Sequence, residues 1–165
     1  MCGAPGKNFS LIATHLEGEE GSVSTESHQR VRDAQVQQIR DELLTPPATT
    51  GTLIVIAGDF ATPRLQPCSE NEETESYTRT LATLQARNGP EQRITLNDNR
   101  RINTLAGGNT GRTDELDYIF IRDNGVNVRT TWQRRIFRHT ACDDKRNRPD
   151  LSYRYAVETI IEFPE

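Results

Sequence analysis

The chain has 165 residues and a mass of 18.7 kDa, the size of one domain. A hydrophobic fraction of 33% and a mean hydropathy of -0.73 imply a modest core and long solvated loops. With 24 acidic and 20 basic side chains the net charge is -4, which excludes a globally basic nucleic-acid binder but not a local basic patch. Residues 122–155 hold nine basic and four acidic side chains, so a nucleic-acid contact there stays open. Three cysteines, Cys2, Cys68 and Cys142, have no metal-binding spacing, and their odd count argues against a complete disulfide framework. No apolar run approaches the length of a membrane span and no signal-like segment follows Met1. The chain reads as soluble, with its compartment undetermined.

The elements follow in order. Asn8–His15, NFSLIATH, is a short run of strand formers. After a polar loop, Ser24 or Thr25 caps a helix running to about Leu44, with Val31, Ala34, Ile39 and Leu43 near one face and Val36 beside them. Thr52–Ala57, TLIVIA, is apolar without alternation, as expected of a strand buried on both faces and ended by Gly58. Tyr77, Leu81 and Leu84 define a short amphipathic helix that Asn88–Gly89–Pro90 terminates. Residues 91–114 have loop composition. Leu116–Ile121 is a strand, Asp123–Asn124–Gly125 a hairpin-type turn, and Val126 to about Phe137 a second extended segment. A final strand covers Tyr155–Phe163.

This order gives an α/β (α+β) fold: a βαβ unit joining the first two strands, then antiparallel strands. The expected architecture is one mixed sheet of about five to six strands with two helices on one face. Residues 1–165 form one unit without repeat or linker.

Two polar residues close the first two apolar runs, His15 after FSLIAT and Asp59 after TLIVIAG. Side chains at the carboxyl ends of neighbouring strands converge where ligands bind. Each also has a bland reading, as a hydrogen-bonding or turn-forming residue. Asp117 lies between Leu116 and Tyr118, inside the predicted strand. A buried carboxylate needs a partner, either an arginine or, in a site, a histidine or a metal. His28 and His139 read as surface residues, and Trp132 as core or edge packing.

Four segments, ATHL with His15, IVIAGDF with Asp59, ELDYIF with Asp117 and LSYRYAVE with Arg154, stand in this order. They resemble the signature strands of the endonuclease/exonuclease/phosphatase superfamily, and most closely those of bacterial-type neutral sphingomyelinases. The resemblance spans about Phe9 to Phe163. It implies a Mg²⁺-dependent phosphodiesterase on half of a four-layer β-sandwich with flanking helices, the first half of the family domain being absent. It assigns Asp59 to water activation, His15 to the phosphate, and Asp117 to the partner of a terminal histidine or to the metal.

Three departures from the family pattern accompany these matches. Ala61 stands for the asparagine of GDFN, and Tyr153–Arg154 stand for the terminal Asp–His. Arginine binds phosphate but cannot act as an acid at neutral pH. Few residues precede the first strand, so the family's usual Mg²⁺ ligands have no counterpart. The resemblance therefore implies a catalytically impaired hydrolase. The alternatives are a non-catalytic remnant in which His15 and Arg154 bind phosphate, and a nucleic-acid contact through 122–154. A half-sandwich also implies a homodimer or a completing partner.

Overall fold

The computed structural model describes residues 8–16, 25–45, 51–64, 72–88, 116–136 and 156–163, with backbone alone at 130–136 and 156. Strand β1 is Phe9–His15, followed by helix α1, Thr25–Ile39, which Arg40–Leu44 prolongs as a π-helical turn. Strand β2, Leu53–Asp59, helix α2, Glu75–Leu84, and a two-residue strand β3, Arg87–Asn88, come next. Strands β4, Asp117–Arg122, β5, Arg129–Ile136, and β6, Ala156–Glu162, complete the described chain.

The six described strands do not form one sheet. Four make a mixed sheet in the order β1-β2-β4-β3, and β5 pairs antiparallel with β6 in a separate two-stranded sheet. The expected βαβ unit is present: β1 and β2 run parallel in register from Phe9↔Leu53 to His15↔Asp59. Strand β4 is antiparallel to β2. The turn at Asp123–Gly125 forms as expected, with Asn124 and Gly125 at positive φ and the Val126 N–H donating to Asp123 O at 2.8 Å. It does not make a hairpin, because β4 pairs with β2 and β3 while the chain beyond the turn crosses into the other sheet.

Alternation along the strands divides the core in two. Ile54, Ile56, Tyr118 and Phe120 face both helices and pack with Val36, Ile39, Leu44, Tyr77 and Leu84. Leu53, Val55 and Ile121 face the other way and pack under Val126, Val128, Ile161 and Phe163. Among the aromatic rings, Tyr118 stacks on Phe120 with centroids 5.0 Å apart, and Phe60 sits 4.7 Å from Phe120. These rings join the loop after β2 to the centre of the sheet.

The buried face of α1 differs from the expected one. His28, Arg32, Val36 and Ile39 are buried, whereas Val31 and Leu43 lie at the surface. A stripe containing a histidine and an arginine is invisible to hydropathy. The wider π turn then shifts the phase so that Leu44, not Leu43, reaches the core. Helix α2 ends earlier than expected, at Gln85 in the left-handed conformation, whose N–H bonds back to Ala82 O. Its N-cap Thr74 accepts the Tyr77 N–H, a contact worth about 1 kcal/mol.

Candidate active site

Strand β2 does not stop at Gly58. It continues to Asp59, and this depends on glycine at that position. Gly58 has φ +145°, and a Cβ there would lie 1.8 Å from the Thr14 carbonyl oxygen. Only a hydrogen side chain lets β2 pass this close to β1. The ends of three strands are then laced together at one point. Leu16 N–H donates to Asp59 O at 2.8 Å, and Phe60 N–H donates to Leu116 O at 2.8 Å.

The consequence is a row across three strands. His15 is the register partner of Asp59, and Asp59 is the register partner of Asp117. Directly opposite residues share a face, so all three candidates stand on the side of the sheet away from the helices. His15 and Asp59 end their strands, as the sequence suggests. Asp117 opens β4 and is partly exposed, so it is not the deeply buried carboxylate expected from its place in the sequence. The strand starts one residue later than predicted, which moves Asp117 from the interior of the strand to its end.

Asp59 is the buried member of the row, with 8% of its side chain exposed against 80% for His15. Its two oxygens have different surroundings. Oδ1 accepts the Ala61 N–H at 2.7 Å. Oδ2 lies 3.7 Å from His15 Nε2, beyond hydrogen-bond reach but close enough for attraction when the imidazole is protonated. Ala61 reaches this position by adopting φ +48°, in the left-handed region.

The loop beyond is fixed by side chains. Tyr118 Oη donates to Thr62 O at 2.7 Å, and Thr62 Oγ1 donates to Phe60 O at 3.0 Å. Thr74 Oγ1 donates to Pro63 O at 2.6 Å, tying the loop to the start of α2. These loop anchors, and the part played by Gly58, carry no composition signal. Asparagine or glycine at position 61 would have flagged the left-handed turn; alanine hides it.

Arg154 and Tyr153 lie outside the described residues, as does His139. His28, expected at the surface, is buried. In the arginine-rich segment, register places Arg129 opposite Glu162 and Arg134 opposite Glu158. Two of the three arginines of β5 thus have a glutamate of β6 as register partner, and the third, Arg135, has Val157. No helix among the described residues is long and apolar enough to cross a membrane.

Mg²⁺ prefers an octahedron of oxygen ligands. The row offers two carboxylates, one with an oxygen already engaged by Ala61. Among the described residues no group of three or more His, Cys, Asp or Glu side chains is placed to hold a metal ion. The described side chains therefore do not amount to a magnesium site by themselves.

A mixed sheet flanked on one face by two helices is the α+β architecture of endonuclease/exonuclease/phosphatase-type, sphingomyelinase-like structures. A crystal structure of beta toxin from Staphylococcus aureus superimposes with a TM-score of 0.73 at 18% identity, covering 96% of this chain and 54% of the toxin. Sphingomyelinase C from Streptomyces griseocarneus gives 0.62 at 18% identity, covering 95% of this chain and 54% of the enzyme. A mannosyl-6-phosphatase from Bacteroides thetaiotaomicron gives 0.61 at 14% identity, covering 96% and 53% respectively. Another structure of the staphylococcal toxin, with a TM-score of 0.63, carries bound magnesium ions. At these identities the likeness is one of fold. The chain spans about half the length of the structures it matches. No family model and no curated protein matches the sequence.

Proposed function

We propose that the chain is a phosphodiester-binding unit of sphingomyelinase-like type that hydrolyses its ligand poorly on its own. The observation that carries this reading is the His15–Asp59–Asp117 row, three strand-terminal residues brought onto one face by register alone. In this reading Asp59, oriented through Oδ1 by the Ala61 N–H, turns Oδ2 toward an attacking water and His15. His15, exposed at the rim, contacts the phosphoryl oxygens, and Arg154 adds a fixed positive charge that cannot donate a proton at neutral pH. Asp117 holds a partner cation beside the row. Magnesium would supply charge stabilisation at the phosphate, but the two carboxylates present need further oxygen ligands to hold it.

The test pairs binding with turnover. Inorganic phosphate should shift the His15 imidazole resonances, and His15→Ala should abolish the saturable response. Bis-p-nitrophenyl phosphate with Mg²⁺ should be hydrolysed slowly, and Asp59→Ala should remove what activity there is. Brisk Asp59-dependent turnover would overturn the impairment. Absence of phosphate binding by the folded chain would overturn the site.

A further inference from the structure

We infer that a cleft at the pole of the sheet opposite the His15–Asp59–Asp117 row binds a small organic carboxylate, with Arg122 as its anion contact. Strands β2 and β4 run antiparallel, so the Asp59↔Asp117 pair and the Ile54↔Arg122 pair mark opposite ends of one ladder. Asp117 and Arg122 open and close β4, about 17 Å apart along the strand. The cleft has a volume of about 580 Å³. Its walls come from two segments, the exit of α2 with Arg87 and the end of β4 with the turn that follows. That size suits a small molecule rather than a lone ion.

Both walls are fixed before any ligand arrives. Gln85 takes the left-handed conformation, its N–H on Ala82 O, and turns the chain out of α2 toward β3. Arg87 grips Asp123 with Nη2 at 2.9 Å and Nε at 3.3 Å, joining one wall to the other. Its Nη2 also reaches Val128 O at 3.4 Å. Across the turn, Gly51 N–H donates to Asn124 O at 3.0 Å, and Asn124 Nδ2 donates to Thr52 O at 3.2 Å. A cleft held at this many points loses little freedom on binding.

The lining selects the ligand. It holds two guanidinium groups and one carboxylate. Arg87 and Asp123 neutralise each other, which leaves the lining a single positive charge, at Arg122. A guanidinium fork matches a carboxylate in shape. One surplus charge balances a monoanion, while Asp123, next in sequence, repels a second negative charge. Ala86 and Ile121 supply an apolar surface for the body of the ligand. An aromatic or branched carboxylate meets both requirements, whereas inorganic phosphate has no apolar part. The inference does not depend on hydrolysis at the row.

A titration of the ¹⁵N-labelled chain with 1-naphthoate, followed by nuclear magnetic resonance, tests it. The backbone amides of Arg122, Asn124 and Gly125 should shift saturably, and those of His15 and Asp59 should not. Arg122→Gln should weaken binding about tenfold or more, with unchanged far-ultraviolet circular dichroism. Arg122→Lys, which keeps the charge and loses the fork, should weaken it by a smaller factor and stands in should Arg122→Gln fail to fold. His15→Ala should leave binding unchanged. The uncharged 1-naphthamide should bind about tenfold more weakly or worse, and inorganic phosphate should leave these amides unmoved. Absence of a saturable shift with 1-naphthoate overturns the inference. So does equal binding of 1-naphthamide, full affinity in both Arg122 variants, or a response of these amides to phosphate.

Discussion

The Ala61 N–H and the Asp59 carboxylate form a two-residue turn: Oδ1 accepts the N–H at 2.7 Å while Ala61 holds φ +48°. A residue with a Cβ pays about 1–2 kcal/mol to enter this conformation, and asparagine enters it more readily. The hydrogen bond uses the backbone, so it is independent of the side chain at 61. Ala61→Asn should therefore raise stability by about 0.5–1 kcal/mol, with the Asp59 bond retained. Thermal unfolding of the two proteins checks this; a lower melting temperature for the variant would contradict it.

Gly58→Ala should be among the most damaging single-methyl additions in the chain. The new Cβ would meet the Thr14 carbonyl at 1.8 Å, and both neighbours are backbone in a paired strand. Neither can retreat without breaking the β1–β2 ladder. The expected loss exceeds about 3 kcal/mol, combining overpacking with a disfavoured φ. Urea unfolding measures it, and a loss below about 1 kcal/mol would show that the strands separate more easily than this geometry allows.

Tyr118→Phe removes one hydroxyl from a fully packed ring and strands the Thr62 carbonyl. The cost should be about 1–2 kcal/mol, the usual loss for orphaning a buried acceptor. The ring contacts with Phe120 and Tyr77 remain. Near-ultraviolet circular dichroism should therefore keep its aromatic signal while the denaturation midpoint falls.

The Asp41 carboxyl lies below its ordinary value of 3.8, held there first by the Gln37 side-chain amide and then by Arg40. A depressed folded value means that its contribution to stability is present above the unfolded value and is lost as pH falls through the folded one. Gln37→Ala should raise the Asp41 titration midpoint toward 3.8, read from its carboxyl carbon resonance. No movement would transfer the effect to Arg40.

The legible parts of the sequence were those where polarity and position coincide. An apolar run closed by one polar residue marked β1 with His15 and β2 with Asp59, and the intervening helix implied their parallel pairing. Asp117 was visible as a residue but not as a strand end, because the strand boundary depends on pairing with β2. The buried side of α1 was hidden because His28 and Arg32 occupy it, so summed hydropathy points toward Val31 and Leu43 instead. Two-residue β3 has no periodicity to read. The division of the strands into two sheets was equally unreadable: the turn at Asp123–Gly125 is local, but the partner chosen beyond it is tertiary.

The register of the central strands also sets a folding order. Phe9 meets Leu53, and Asp59 meets Asp117, only after long stretches of intervening chain have been brought round. Such non-local pairings are slow to form because loop closure precedes any contact that rewards it. Helix α1 turns a mixed stripe inward, His28 and Arg32 beside Val36 and Ile39. Alignment of the row therefore depends on closing both connections, and until they close Asp59 has neither His15 nor Asp117 beside it.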